Sequence, residues 1–211
     1  MFREFIAHEE SWQRFLGKAL EVLAVLTDCR IVHSDLKPDN ILVTMDENSG
    51  FESLKVIDFG SAYNYDGSGS LSTATPEYMP PEALSLMGKA GDHIGQLKDI
   101  SHSWSFDIWS LGMIWLELIS GFPLWMSLKS KVTSRGRTVT SKGLLAVQGR
   151  DAQLILREQR SVLGSLSEVV GRGVGLQVSS AGVELLGRML QWEPGNRISP
   201  VEALSHRYVC P

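Results

Sequence analysis

The chain has 211 residues, of which 43% are hydrophobic and 21% charged, with a formal net charge of -4. That is enough apolar matter for one sizeable core and excludes global disorder, while the slight acidity argues against a dedicated nucleic-acid binder. Two cysteines far apart in sequence, Cys29 and Cys210, exclude a disulfide framework and a Cys-x-x-Cys metal site.

Met1 to Phe5 opens with charge and no apolar run, unlike a signal peptide. From about residue 10 to 28, Trp12, Phe15, Leu16, Leu20, Leu23 and Leu26 recur at spacings of three and four, which predicts an amphipathic helix. Two β-prone runs follow, Ile41-Leu42-Val43 and Leu54-Lys55-Val56-Ile57. They flank a turn-rich segment from Met45 to Gly50, a pattern that predicts a hairpin. Residues 60–75 are dominated by Gly, Ser, Thr, Tyr and Asn and are expected to form a mobile loop without a core face.

Helices are expected to dominate the rest. Pro81-Glu82-Ala83-Leu84 reads as a helix start. The run 105–119 is apolar on nearly every side and predicts a buried central helix. Its most apolar part, Ile108 to Ile119, is shorter than the roughly 20 residues a membrane span needs and carries Glu117. Trp104, Trp109 and Trp115 sit at helical spacing there and are expected in the core. Residues 129–150 hold basic side chains and no acid, so a basic surface insertion is expected over about 127–150. Helical spacing returns over 151–170, from Ala181 to Leu190, and from Ser199 to Ser205. The expectation is a soluble intracellular α+β chain, mostly helical, with a small hairpin beside a loop.

The residues that carry chemistry lie around that hairpin. His33-Ser34-Asp35-Leu36-Lys37-Pro38-Asp39-Asn40 enters it and Asp58-Phe59-Gly60 leaves it. Asn40 and Asp58 would offer hard oxygens to Mg²⁺, which takes few protein ligands and completes its shell with phosphate and water. Asp35 could then orient a hydroxyl nucleophile and accept its proton, with Lys37 neutralising charge on a transferring phosphoryl group. Phosphoryl transfer depends on such positioning and electrostatics more than on covalent chemistry.

With these residues the chain resembles the eukaryotic protein kinases. Three further segments extend the resemblance: Thr75-Pro76-Glu77-Tyr78-Met79-Pro80-Pro81-Glu82 is similar to the substrate loop and its Ala-Pro-Glu motif, Asp107-Ile108-Trp109-Ser110-Leu111-Gly112 to the central-helix motif, and Trp192 to Ile198 to the closing segment. The resemblance implies ATP and Mg²⁺ as cofactors and a protein substrate, with neither nucleic acid nor membrane as partner. It implies Asp35 as catalytic base and Lys37 facing the phosphates. Asn40 and Asp58 would hold the metal, and Leu42 would lie under adenine. Thr75 would brace Asp35 and line the substrate site, and His33 would stack on Phe59. Asp107 would tie the catalytic loop to the central helix, and Glu82 would pair with Arg197. Within the family, the segments at 33–38 and 78–83 look most like the TTK/monopolar-spindle dual-specificity group. The tail looks like the cyclin-dependent and dual-specificity-regulated kinases.

Two departures stand out. Nothing before Phe15 matches a Gly-rich phosphate loop, a strand lysine or its helix glutamate, so the expected architecture is a kinase C-lobe over 1–211 with the N-lobe missing and very low activity alone. Ser34 stands where many kinases carry an arginine that binds phosphate on the activation loop. Ser68, Ser70, Ser72 and Thr73 remain candidate phosphosites, with a smaller effect expected from their phosphorylation. Two other readings compete: a non-catalytic scaffold that keeps the substrate-side surface, and a small-molecule phosphotransferase sharing His33, Asp35, Asn40 and Asp58. Residues 75–82 and 107–112 argue against the second.

Overall fold

The computed structural model describes residues 9–46, 50–71, 75–121, 129–134, 137–142 and 152–210. It opens with helix α1 (Glu9–Asp28). The predicted apolar stripe is the buried face: Trp12, Phe15, Leu16, Ala19, Leu20 and Leu23 all point into the core. Glu9 and Glu10 occupy the first turn, where negative charge suits the helix dipole. A two-residue strand β1 (Ile31–Val32) follows, then the hairpin of β2 (Ile41–Asp46) and β3 (Gly50–Val56), then β4 (Tyr63–Asn64). The hairpin is antiparallel with Ile41 opposite Val56 and Leu42 opposite Lys55, and it packs against α1.

The helical part comprises α2 (Pro81–Leu84), α3 (His93–Ile100), α4 (Ser105–Ser120), α5 (Ala152–Gly164), α6 (Leu166–Arg172), α7 (Ser180–Met189) and α8 (Pro200–Leu204), with strands β5 (Lys129–Ser134) and β6 (Arg137–Lys142) between α4 and α5. Helix α4 is the hub. Every residue in it except Glu117 is buried, as its all-round apolar sequence requires. Trp109 and Trp115 lie wholly inside, and Trp12 and Tyr208 flank Trp115. Trp104, at the edge, is partly buried and stacks on His102 with ring centroids 4.4 Å apart. Helix α8 begins with a reciprocal capping box between Ser199 and Glu202. No described helix is long and apolar enough to cross a membrane.

One expectation needs correction. The segment 60–71 does carry a core face: Tyr63 and Asn64 pair antiparallel with Val32 and Ile31, and Tyr65 is buried. Composition misses this because one aromatic anchor outweighs several small polar neighbours. Its hydroxyl donates to the Ser101 carbonyl at 2.5 Å, and the Arg30 guanidinium lies 4.6 Å from its ring centre. The basic insertion also carries regular structure, since β5 and β6 pair antiparallel with Val132 opposite Val139. β-branched residues on both sides of Arg135-Gly136 account for that pairing. Residues 143–150 lie outside the described residues, as do the candidate phosphosites Ser72 and Thr73.

Candidate active site

The loop between β1 and β2 is held on α4 by one carboxylate. Asp107 Oδ2 accepts from the His33 backbone N–H at 2.8 Å, and its Oδ1 accepts from the Ser34 N–H at 3.0 Å. Asp107 is buried, which pushes its carboxyl up, and these two N–H groups pull it back. The loop folds back on itself there because Ser34 adopts φ 62°, in the left-handed region. The Ser34 hydroxyl donates to the Ser61 carbonyl at 2.8 Å.

His33 is completely buried and fixes the loop from inside. Its Nδ1 accepts from the Asp35 N–H at 3.3 Å, so Nε2 carries the proton and donates to the Ile57 carbonyl at 3.0 Å. The ring meets Phe59 edge-on, with centroids 4.8 Å apart. These contacts bring the start of one side of the hairpin to the end of the other. Ile57 N–H donates to the Asn40 carbonyl at 3.0 Å, so Asp58 emerges next to the Asn40 backbone.

Asp35 is engaged on both oxygens. Oδ1 accepts from the Thr75 backbone N–H at 2.7 Å. Oδ2 accepts from Lys37 Nζ at 2.6 Å and from Asn40 Nδ2 at 3.3 Å. Lys37 Nζ also donates to Thr75 Oγ1 at 2.9 Å, and Asn40 Nδ2 to the Asp35 carbonyl at 2.9 Å. Burial alone would raise the Asp35 carboxyl, but the Lys37 ammonium and the Thr75 bonds outweigh it and hold the group below the ordinary carboxylate range. Each carboxylate oxygen keeps a further lone pair, so an ionised Asp35 can still accept from an incoming hydroxyl.

Asn40 and Asp58 are the oxygen donors that would face a hard cation here. Asn40 directs both bonds of its amide nitrogen at Asp35, which turns its oxygen the other way. Asp58 has φ 62° and ψ 72°; its Oδ1 accepts from Gly60 N at 3.2 Å and the side chain is exposed, leaving Oδ2 for a ligand. Among the described residues no cluster of three or more His, Cys, Asp or Glu could hold a metal. One carboxylate plus one carboxamide suits Mg²⁺, which draws its other ligands from phosphate and water. Leu42, Ile57 and Phe59 are exposed apolar side chains on the hairpin and its exit.

The segment from Thr75 to Glu82 is pinned from α4, from α5 and by Arg197. Ser110 Oγ donates to the Tyr78 carbonyl at 2.9 Å, Tyr78 Oη donates to Glu117 at 2.6 Å, and Gln159 Nε2 donates to the Met79 carbonyl at 2.8 Å. Glu82 on α2 pairs with Arg197 through two bonds of 2.6 and 2.7 Å. Sequence reasoning named the ends of this segment but missed Gln159, Tyr78 and Glu117. Tyr78 and Ser110 carry a signal only by lying inside the 75–82 and 107–112 motifs; Gln159 and Glu117 carry none.

The Asp35 carboxylate is thus bonded to a lysine, an asparagine and the Thr75 backbone, on a loop that Asp107 ties to the buried central helix. Residues 2–209 match the protein kinase domain, and the chain belongs to that family. It is 31% identical over 226 aligned residues to the dual specificity tyrosine-phosphorylation-regulated kinase mbk-2 of Caenorhabditis elegans, covering 93% of this chain and 26% of that protein. It is 30% identical over 208 residues to mitogen-activated protein kinase 5 of Oryza sativa subsp. indica, covering 95% of this chain and 51% of the relative. Against the dual specificity tyrosine-phosphorylation-regulated kinase 2 of Drosophila melanogaster it is 27% identical over 212 residues, 94% of this chain and 27% of that one. The chain thus spans about a quarter to a half of these relatives.

Proposed function

We propose that the chain supplies the phosphate-end and substrate-side lobe of a protein kinase that transfers the γ-phosphoryl group of ATP to serine and threonine hydroxyls of proteins, in the cytoplasm or nucleus. The observation that carries this reading is the Asp35 carboxylate, held at once by Lys37, Asn40 and Thr75. Its ionised state at neutral pH suits a group that orients the attacking hydroxyl and takes its proton. Lys37, bridging Asp35 and Thr75, would bring a positive charge to the transferred phosphoryl group. Mg²⁺ held by Asn40 and Asp58 would neutralise the phosphates. Leu42 offers an apolar surface for the adenine ring. Dual specificity, as in the names of two relatives, is the finer reading and agrees with the character of the tail. A nearer kinship of residues 33–38 and 78–83 to the TTK/monopolar-spindle group belongs to the same proposal.

A second reading is favoured by a specific feature. Leu42, Ile57 and Phe59 form an exposed apolar surface on the hairpin and its exit. The polypeptide would then act as a scaffold or competitor at the substrate side, with little phosphotransfer of its own. Titration of the chain with Mg²⁺·ADP, followed by the amide signals of Asn40 and Asp58, separates the two. Saturable shifts that vanish in D58N, and phosphotransfer on addition of a lobe bearing a Gly-rich loop and a strand lysine, support the kinase reading. Binding unaffected by D58N, or no transfer in the completed kinase, would sink it. In that completed kinase, D35N is expected to lower kcat by about 10²- to 10⁴-fold.

A further inference from the structure

Residues 65–71 lead from β4 toward Thr75, and their long-range polar bonds run to two anchors. The first is Arg30, at the end of α1. Its Nε and Nη2 donate to both oxygens of Asp66 at 2.9 and 2.8 Å, its Nη1 to Ser103 Oγ at 3.4 Å, and its carbonyl accepts from the Tyr65 N–H at 2.8 Å. The second is α3 with its flanks. Lys98 Nζ lies 3.6 Å from Asp66, and the Tyr65 hydroxyl donates to the carbonyl of Ser101. Asp92 Oδ1 accepts from Gly69 N at 2.7 Å and from Gly95 N at 3.0 Å, so one carboxylate both caps α3 and grips the segment. Ile94 N–H donates to the Gly69 carbonyl at 3.0 Å, Ser70 Oγ to the Gly91 carbonyl at 3.2 Å, and Leu71 N–H to His93 Nδ1 at 3.3 Å.

We propose that Asp66 and Asp92 are positioning residues that order this segment in the unphosphorylated chain, with Asp66 gripped by Arg30 and Lys98 in the manner of a bound phosphate. This deepens the kinase reading and rests on it, because only there does residue 58–82 order decide catalysis. A phosphate-bearing loop needs a cation to hold it. Ser34 supplies none, and its hydroxyl is spent on the Ser61 carbonyl. The segment instead carries its own anion, and the cation comes from Arg30, four residues upstream of Ser34. Bidentate guanidinium–carboxylate geometry is the arrangement that makes an exposed pair effective. The Arg30 and Lys98 charges hold the Asp66 carboxyl down at about 2, and the Gly69 and Gly95 N–H groups lower Asp92, so both stay ionised through the physiological range.

Hydrogen–deuterium exchange of the 211-residue chain, its lack of phosphate verified by mass, tests the proposal. Wild type is expected to protect the amides of 65–71. D66N is expected to speed their exchange about two- to fivefold, the range of an exposed ion pair. D92S keeps a competent cap for α3 but shortens the reach to Gly69, so 65–71, together with the Ile94 amide that donates to the Gly69 carbonyl, should speed up while 97–100 stays unchanged. In both variants 105–120 should keep its wild-type rate. Unchanged exchange at 65–71, equal acceleration across 105–120, or a wild-type segment unprotected until phosphorylated would overturn the proposal. The Mg²⁺·ADP titration reads Asn40 and Asp58, so failure of the kinase reading shows there and not here.

Discussion

Arg197 and Glu82 meet side by side across 115 positions of sequence, guanidinium to carboxylate, with the arginine side chain fully buried and the glutamate nearly so. The arginine also donates to the carbonyls of Gln191 and Ser105 and lies 4.8 Å from the centre of the Trp109 ring. One side chain therefore joins α2, α4 and the segment before α8. Taking away Glu82 strands a desolvated cation, so E82A is expected to cost about 3–5 kcal/mol of unfolding free energy. R197M combined with E82L should cost clearly less than the sum of the single changes, because no charge is then left alone. Urea denaturation of wild type, E82A, the two single changes and the double variant measures both.

A close approach of helices makes a second prediction. Gly112 on α4 faces Leu190, and a Cβ placed there would lie 2.8 Å from Leu190 Cδ2 and 3.4 Å from Met189 Cβ. Real side chains do not pack that tightly, so the buried Leu190 side chain must give way or α4 must shift. G112A is expected to destabilise the chain by about 1–3 kcal/mol despite alanine's better helix propensity. L190A in the same background should recover part of the loss, which thermal or urea unfolding would reveal as non-additivity.

These relationships differ in how far the sequence announces them. Helix α1 and the hairpin are readable because their causes are local: apolar residues at helical spacing, and two β-prone runs around a turn. The glycine of the 107–112 motif is readable only by resemblance, since its partner Leu190 is remote. Helix α3 left a faint signal, Asp92 as a cap with Ile94 and Leu97 on one face, and it was not anticipated. The Gln159 bond to the Met79 carbonyl had no signal at all, because a buried glutamine on an amphipathic helix looks the same as a solvated one until its distant acceptor is known. The same holds for Tyr65. His33, Lys37 and Asn40 are nameable because they lie within a few positions of Asp35, while the bonds from Thr75 and Asp107 span the chain and are readable only by resemblance.

Asp107 gives a third prediction, specific to the loop. Each of its oxygens serves one backbone N–H in a buried site. D107N presents an amide hydrogen to one of those donors and leaves it unsatisfied, at a cost of about 1–3 kcal/mol. The amides of His33 and Ser34 should exchange faster than any in α1, as read by hydrogen exchange. Equal loss of protection in α1 and in the loop would show that the carboxylate has no local role.

The Asp35–Lys37 pair sets a pH dependence whose sign follows from the bonds. Asp35 lies below its ordinary value of 3.8 in the folded chain, so the unfolded chain binds its proton more readily. Its contribution to stability is complete above the unfolded value and fades as pH falls through the lower folded one. Lys37→Met removes the ammonium but leaves the burial, which acts in the opposite direction and pushes the carboxyl up. The wild type should therefore exceed the variant in stability at pH 6, and the gap should close as pH drops below about 4. Because other carboxylates such as Asp92 and Glu202 are also held low, the difference between the two proteins is the quantity to follow. Urea midpoints measured from pH 6 to pH 3 give it directly. A gap that is constant over that range would mean that Lys37 does not hold Asp35 in its charged form.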